Sequence, residues 1–557
     1  MDALPLESPR AGRRAFDADR LLLVVCLVIP LAALILFFAY PIIIIGLQSL
    51  TEPGGRLGLG NYAQVLDNPH FWRATRHSLT MSLSTTAVSL VLGLTVAYTL
   101  HRCKVRWRMA IQLLVALPLL APSLVQGLGL IFLLGRNGIV SKLLGIEIEI
   151  YGFWGLLIAN TLYALPQAVL IISAALRNTD ARIYEAANVL GSSRWRQFLD
   201  VTLPSIKFAL LSTAFVVFTV TITDFGNAAT IGGNYSVLAT EIYNQVAGQM
   251  NFHLGAVVGM LLLLPTVLAF YLERVASNRQ SAAVSESATP LQPEWVPSRD
   301  IPMGLISSLI ALLPAITVSI VIAVSFTQLW PYRFGFTLRH YTVSIAGGYD
   351  PLWTTVQISL AAGLIGVFLQ FILSIALQHV SRRLVKAVYF ICLLPAAVPG
   401  MVLGLSYIFA FNVPGTPLYY LYGTAALLAF CNVMHYWTQA FVATNAGMRQ
   451  FPEALDETAA CLGAGFMRRV IDVIGPFALP TLIAVFLFLF MRSMVTLSGV
   501  IFLISPTLSV ASVSIMRLEE AGSTGQAAAY ATCTMGIVVL ASALMWLSLK
   551  KLKRART

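Results

Sequence analysis

Glu185 and Glu457 open two copies of one spacing pattern, set 272 residues apart in a chain built of long apolar runs. The first copy reads Glu185-Ala186-Ala187, then Gly191, then Val201-Thr202-Leu203-Pro204. The second reads Glu457-Thr458-Ala459, then Gly463, then Val473-Ile474-Gly475-Pro476. In both, six residues separate the glutamate from the glycine and thirteen separate the glycine from the proline. An alanine-rich helix ending in glycine is commonplace, but two with identical spacing, each leading into an apolar run near a proline, point to a duplicated unit.

The runs themselves fix the solvent. The chain has 557 residues, 58% hydrophobic and 11% charged, with a mean hydropathy of +0.80. No soluble domain hides that much apolar surface, so most of it faces lipid. Runs of about 20 apolar residues are needed to cross the hydrocarbon. Twelve such runs are predicted: 21–49, 79–100, 109–134, 152–176, 208–228 and 255–273, then 303–329, 355–379, 387–412, 421–446, 477–499 and 527–549. The expected fold is an all-α polytopic membrane protein of two parallel six-helix repeats. Its units are residues 1–273 and 303–557, joined by a Ser-, Ala-, Gln- and Pro-rich linker at 274–302 that carries Glu286, Glu294 and Asp300. The repeat reaches beyond the loops. Leu117-Pro118, Pro122 and Gly127-Leu128 recur as Leu394-Pro395, Pro399 and Gly404-Leu405. Prolines inside a run remove helix hydrogen bonds, so both of these helices should bend.

Most of the 36 Lys and Arg fall in loops on one predicted side, including Arg102, Lys104, Arg106 and Arg108, then Arg382, Arg383 and Lys386. By the positive-inside rule both termini and both Glu-to-Pro loops are cytoplasmic, the chain being expected in a bacterial inner membrane. The net charge of +12 is therefore a membrane-topology signal, and no nucleic-acid partner is expected. Arg10, Arg13, Arg14 and Arg20 precede a first run too long for a signal-peptide core, which reads as a retained span. The six cysteines form no C-x-x-C pair and imply neither a disulfide framework nor a metal site.

The loops suit a rigid contact with a moving partner. Helix-favouring residues surround Glu185, Ala186 and Ala187 let a partner approach closely, and Gly191 lets the chain leave the helix. Pro204 and Pro476 then suit the first turn of the next span. No lysine follows a glycine, so the G-K-[ST] of a phosphate-binding loop is absent, as are H-E-x-x-H and G-x-S-x-G. Catalytic residues are therefore not expected here. Within the spans, Arg492 stands 16 residues past Pro476 and Asp224 stands 20 past Pro204, in repeat-equivalent runs. Charge at such depth faces the bundle interior or an aqueous cavity. Arg492 either meets an anionic substrate, closes a structural ion pair for which Asp224 is a candidate, or snorkels toward water. His435, Tyr436 and Trp437 read as packing residues, and Trp330, Tyr332, Phe334 and Phe336 as interfacial anchors.

These residues resemble, over nearly the whole chain, the type I permeases of binding-protein-dependent ABC importers, whose EAA loop matches the duplicated pattern. The fused twelve-span arrangement is similar to ferric-iron permeases and to 2-aminoethylphosphonate permeases. Asp224-Phe225-Gly226 through Tyr243 looks shared by both groups, while Gly248–Val258 and Leu329–Tyr341 lean toward the phosphonate group. The resemblance implies a complex with two ATPase subunits, which bind ATP and Mg and leave this chain without a cofactor of its own. A periplasmic binding protein delivers the solute. It also implies that Glu185, Ala186, Ala187, Gly191, Pro204, Glu457, Thr458, Ala459, Gly463 and Pro476 dock the ATPases. Thr458 and Gly475 depart from the first copy and could reshape the second contact. The expected cargo is a phosphonate, with ferric iron as the alternative; iron prefers carboxylate and phenolate oxygens, and Arg492 tips the balance toward an anion. A secondary transporter shares the two-half architecture but has no use for the loops. An intramembrane enzyme would need a clustered catalytic set that the sequence lacks.

Overall fold

Long apolar helices dominate the computed structural model, which describes residues 11–52, 54–283, 289, 291–342 and 348–554. Arg10 and Glu286 lie outside the described residues. Ten helices among those described are long and apolar enough to span a bilayer, or eleven if one bent pair counts as a single span. The difference from the expected twelve arises where helices break.

Proline causes two of the breaks. The third run divides into Arg108–Ala116, a 3-10 turn Leu117–Leu120, and Leu124–Leu134. The ninth divides into a segment ending at Ala397 and the helix Gly400–Phe411, which meet at 102°. In each case the residue before a proline is driven out of the helical region: Ala121 has φ −123° and ψ 149°, and Val398 has φ −98° and ψ 120°. The tenth run breaks without proline, at Tyr436, between Ala425–His435 and Trp437–Met448. The fifth helix, Leu203–Ile222, stops short of Asp224, and a separate turn of helix, Gly226–Ile231, follows.

Each half packs around its own second, fourth and fifth runs, but the first runs cross over. Ala11–Leu34 lies on Asp350–Gln378, and Tyr40–Ser49 lies on Gly400–Phe411. The Phe37 ring stacks on Phe430 at 4.0 Å, and the Tyr407 hydroxyl donates to the Phe37 carbonyl at 2.6 Å. Reciprocally, Pro297–Ser325 lies on Leu124–Leu134, Arg108–Ala116 and Pro69–Arg102. There Thr317 Oγ1 donates to Gln126 Oε1 at 2.5 Å and Ser307 Oγ to Thr99 Oγ1 at 2.7 Å. Buried hydroxyl pairs of this kind hold helices together where apolar surface alone gives no preference over lipid.

The linker is shorter than 274–302. Phe252–Ala283 runs into its start and Pro297–Ser325 takes up its end. Asp300 is buried, accepting from the backbone of Lys104 at 3.2 Å and of Val296 at 3.0 Å, and pairing with Arg299 at 2.8 Å. Of the predicted aromatic anchors, Trp330 donates to the Phe132 carbonyl and Tyr332 to Asn137. Phe334 and Phe336 sit on the strand Arg333–Phe336, paired with Thr327–Leu329 beyond the seventh helix.

Candidate functional site

The two Glu-to-Pro loops fold alike. Ala181–Val189 carries Glu185, Ala186 and Ala187; Glu453–Cys461 carries Glu457, Thr458 and Ala459. Asp180 caps the first helix by accepting from the Arg182 N–H at 3.1 Å, and that hydrogen bond holds its carboxyl below the usual carboxylate range. Both helices end in the same two bonds. Gly191 N–H reaches the Asn188 carbonyl and Ser192 N–H the Ala187 carbonyl; Gly463 N–H reaches Ala460 and Ala464 N–H reaches Ala459. This Schellman closure needs a left-handed residue, which glycine supplies at φ +70° and +80°. A short helix, a π turn and a long helix follow in both halves, with Pro204 and Pro476 in the first turn of the last. The Thr458 departure is absorbed locally, its hydroxyl bonding the Ala454 carbonyl at 2.6 Å.

The loops also present matching apolar surface. Ile183, Leu190, Trp195 and Leu199 are exposed in the first loop, and Leu455, Leu462, Met467 and Ile471, each 272 residues on, are exposed in the second. Leu190 and Leu462 are 85% and 82% exposed, so each loop carries a bare apolar side chain at the same place. Behind each helix lies an anchor that sequence reasoning missed. In the second half Asp456 accepts from Arg469 at 2.6 Å and faces His379 at 3.7 Å. In the first half Tyr184 takes the place of Asp456 and bonds Arg102 at 3.2 Å and Thr202 at 3.0 Å. Arg102, expected among the exposed loop charges, is buried.

A cavity lies where the halves meet, with about 150 Å³ of water-accessible space. Asp224 and Arg492 both line it, together with Tyr163, His435, Tyr436 and Thr496. An ion pair between the two charged residues, one of the alternatives open from the sequence, is not observed. Asp224 instead accepts from the Asn227 N–H at 2.9 Å, at the break after Ile222. The Arg492 guanidinium lies over the Tyr436 ring, 4.9 Å from its centroid, and the Tyr436 hydroxyl meets Thr496 at 2.7 Å. Thr496 is the repeat equivalent of Asp224, and Val220, also in the wall, is that of Arg492. Symmetry thus brings four equivalent positions together and leaves the charges unsymmetrical. His435 and Tyr436, expected to be packing residues, line this cavity; Trp437 is the core residue of the three, fully buried. No group of three or more His, Cys, Asp or Glu able to hold a metal occurs among the described residues.

The sequence profile described as "Binding-protein-dependent transport system inner membrane component" matches residues 89–281 and 362–554, one copy in each half. The chain belongs to this family and is a fused permease subunit of an ABC importer, a multi-pass membrane protein. It is similar to the ferric transport system permease protein FbpB of Actinobacillus pleuropneumoniae, with 29% identity over 526 residues, 90% of this chain and 75% of that protein. It is similar to FbpB 1 of Haemophilus influenzae, also named for ferric transport, with 29% identity over 84% of this chain and 76% of that one. The molybdenum transport permease ModB of Azotobacter vinelandii is 30% identical over 223 residues, covering 39% of this chain and 98% of ModB.

Proposed function

We propose that this chain forms both halves of the pathway by which an ABC importer carries ferric iron. Similarity to ferric transport permeases across 90% of the chain, through both halves and the linker, is the observation that carries this reading. It favours iron, the alternative of the sequence reading, over the phosphonate first expected. On the same proposal the two loops dock two ATPase subunits through the matched apolar faces of Ile183/Leu455 and Leu190/Leu462, with the termini and loops cytoplasmic. The Schellman closures make each loop stiff enough to pass on a push. The shared cavity lies between the two helix bundles that such a push would move.

A phosphonate remains the second reading, favoured by one observation: the Arg492 guanidinium in the cavity wall suits an anion. The discriminating experiment is ATP hydrolysis by the reconstituted complex with its binding protein. Stimulation by ferric iron and not by 2-aminoethylphosphonate is the expected result; the reverse would replace the cargo while keeping the class.

A further inference from the structure

Arg102 is a buried cation without a buried anion. It is 4% exposed, and its partners are all neutral: the His101 carbonyl at 3.4 Å, the Leu176 carbonyl at 3.1 Å, the Tyr184 hydroxyl at 3.2 Å and the Thr179 hydroxyl. Its Nε has no hydrogen-bond partner, and among the described residues no carboxylate pairs with it. Isolated buried charge is expensive, and proteins ordinarily supply a counter-ion.

The other half shows what is missing. His379 occupies the place of Arg102 at the end of the equivalent helix, and Asp456, paired with Arg469 at 2.6 Å, also stands 3.7 Å from it where the first half has Tyr184. The duplicated unit therefore has a carboxylate in one copy and a phenol in the other, while the more strongly cationic residue sits opposite the phenol.

Beside Arg102 opens a groove of about 620 Å³, and linker residues form one wall of it. Leu291, Pro293 and Val296 face the helix Ala181–Val189 across it, and Thr289 ties the linker to that helix, its carbonyl accepting from the Ala181 N–H at 2.9 Å. Arg182 and Arg194 line the groove with Arg102, as does Arg299, which is paired with Asp300 at 2.8 Å. Glu185 and Glu294 line it too, and neither is ion-paired with Arg102. The size suits a small molecule, and planar guanidinium groups suit the oxygens of a phosphate.

We propose that this groove binds a phosphate group, carried by a small phosphorylated molecule or by an anionic lipid headgroup, which serves as the counter-ion of Arg102 and bridges the linker to the first docking loop. The site is independent of the cargo.

The test is thermal unfolding of the full chain in neutral phosphatidylcholine nanodiscs, titrated with inorganic phosphate at constant ionic strength against chloride. A saturable rise in the unfolding midpoint is expected. Tyr184→Asp, which installs the carboxylate found in the other half, should abolish it. Arg194→Ala, a surface change that leaves the fold intact, should weaken the apparent affinity several-fold. A rise produced only by adding phosphatidylglycerol, and lost in Tyr184→Asp, would assign the phosphate to a lipid headgroup. No response to either source overturns the proposal, as does a response unchanged in Arg194→Ala or retained by a folded Tyr184→Asp.

Discussion

Arg492 sets its guanidinium over the Tyr436 ring, 4.9 Å from the centroid, in the wall of the same cavity that Asp224 lines from the opposite half. Arg492 lies in its helix and Asp224 just past the end of the repeat-equivalent one, and the two stay unpaired with one another. A stacked arginine is held by its flat face, which leaves its edge for the cavity. Arg492→Lys keeps the charge but loses the planar face. Transport should fall at least about tenfold, since about 1.4 kcal/mol lies within the range of a desolvated cation–π contact. Solute uptake into proteoliposomes measures this, with unchanged ATPase co-purification as the control.

Exposure at Leu190 and Leu462 predicts a separation of stability from assembly. Leu190→Asp or Leu462→Asp should change the unfolding free energy by no more than about 0.5 kcal/mol, as exposed substitutions do. Either should cut the amount of ATPase that co-purifies, and the double variant should abolish it. Equal loss in the two single variants would show that Thr458 and Gly475 leave the second contact as strong as the first.

Gly191 and Gly463 have positive φ, and no atom lies within 4 Å of the point where a Cβ would stand. Alanine there meets no clash, so its cost is conformational, about 1 kcal/mol at each position. Thermal unfolding checks the value, and a much larger loss would reveal a contact made only in the assembly.

Asp456 predicts a larger effect. Its bond to Arg469 is short and only partly exposed, so Asp456→Ala should destabilise the second half by about 2 kcal/mol, the scale of a hydrogen bond to a charged group. Tyr184→Phe, which removes the bonds to Arg102 and Thr202 but leaves no charge without its ion-pair partner, should cost less.

Burial, followed by the neighbouring Glu520 charge, pushes the Glu519 carboxyl up to about 7. The folded chain then binds a proton that the unfolded chain releases near the ordinary glutamate value. Stability should therefore decline as pH rises from about 4.5 to 7 through this group, and Glu519→Gln should flatten that part of the profile. Unfolding midpoints across the interval measure it.

Local pattern was legible in the sequence, and exchange between the halves was not. The loop helices, their glycine ends and the bends after Leu117 and Leu394 follow from spacing, left-handed glycine and the restriction that proline places on its predecessor. The crossing of Ala11–Leu34 onto Asp350–Gln378 leaves no trace in hydropathy, because a helix reads equally apolar whichever neighbour it meets. The break at Tyr436 has no proline to announce it. Arg102 looked like one more loop cation; only the fold shows it buried. The 277-residue step from Arg102 to His379 and the 272-residue step from Tyr184 to Asp456 were the signals that could have paired these anchors.

Iron import by this chain is tested most directly by uptake of radioactive ferric iron into proteoliposomes holding the chain, its ATPase subunits and its binding protein, with ATP inside and no ion gradient. Accumulation of iron that requires both ATP and the binding protein, and that stops when Leu190 and Leu462 are both changed to Asp, is the predicted result. Accumulation of 2-aminoethylphosphonate in place of iron, or uptake indifferent to ATP, would contradict it.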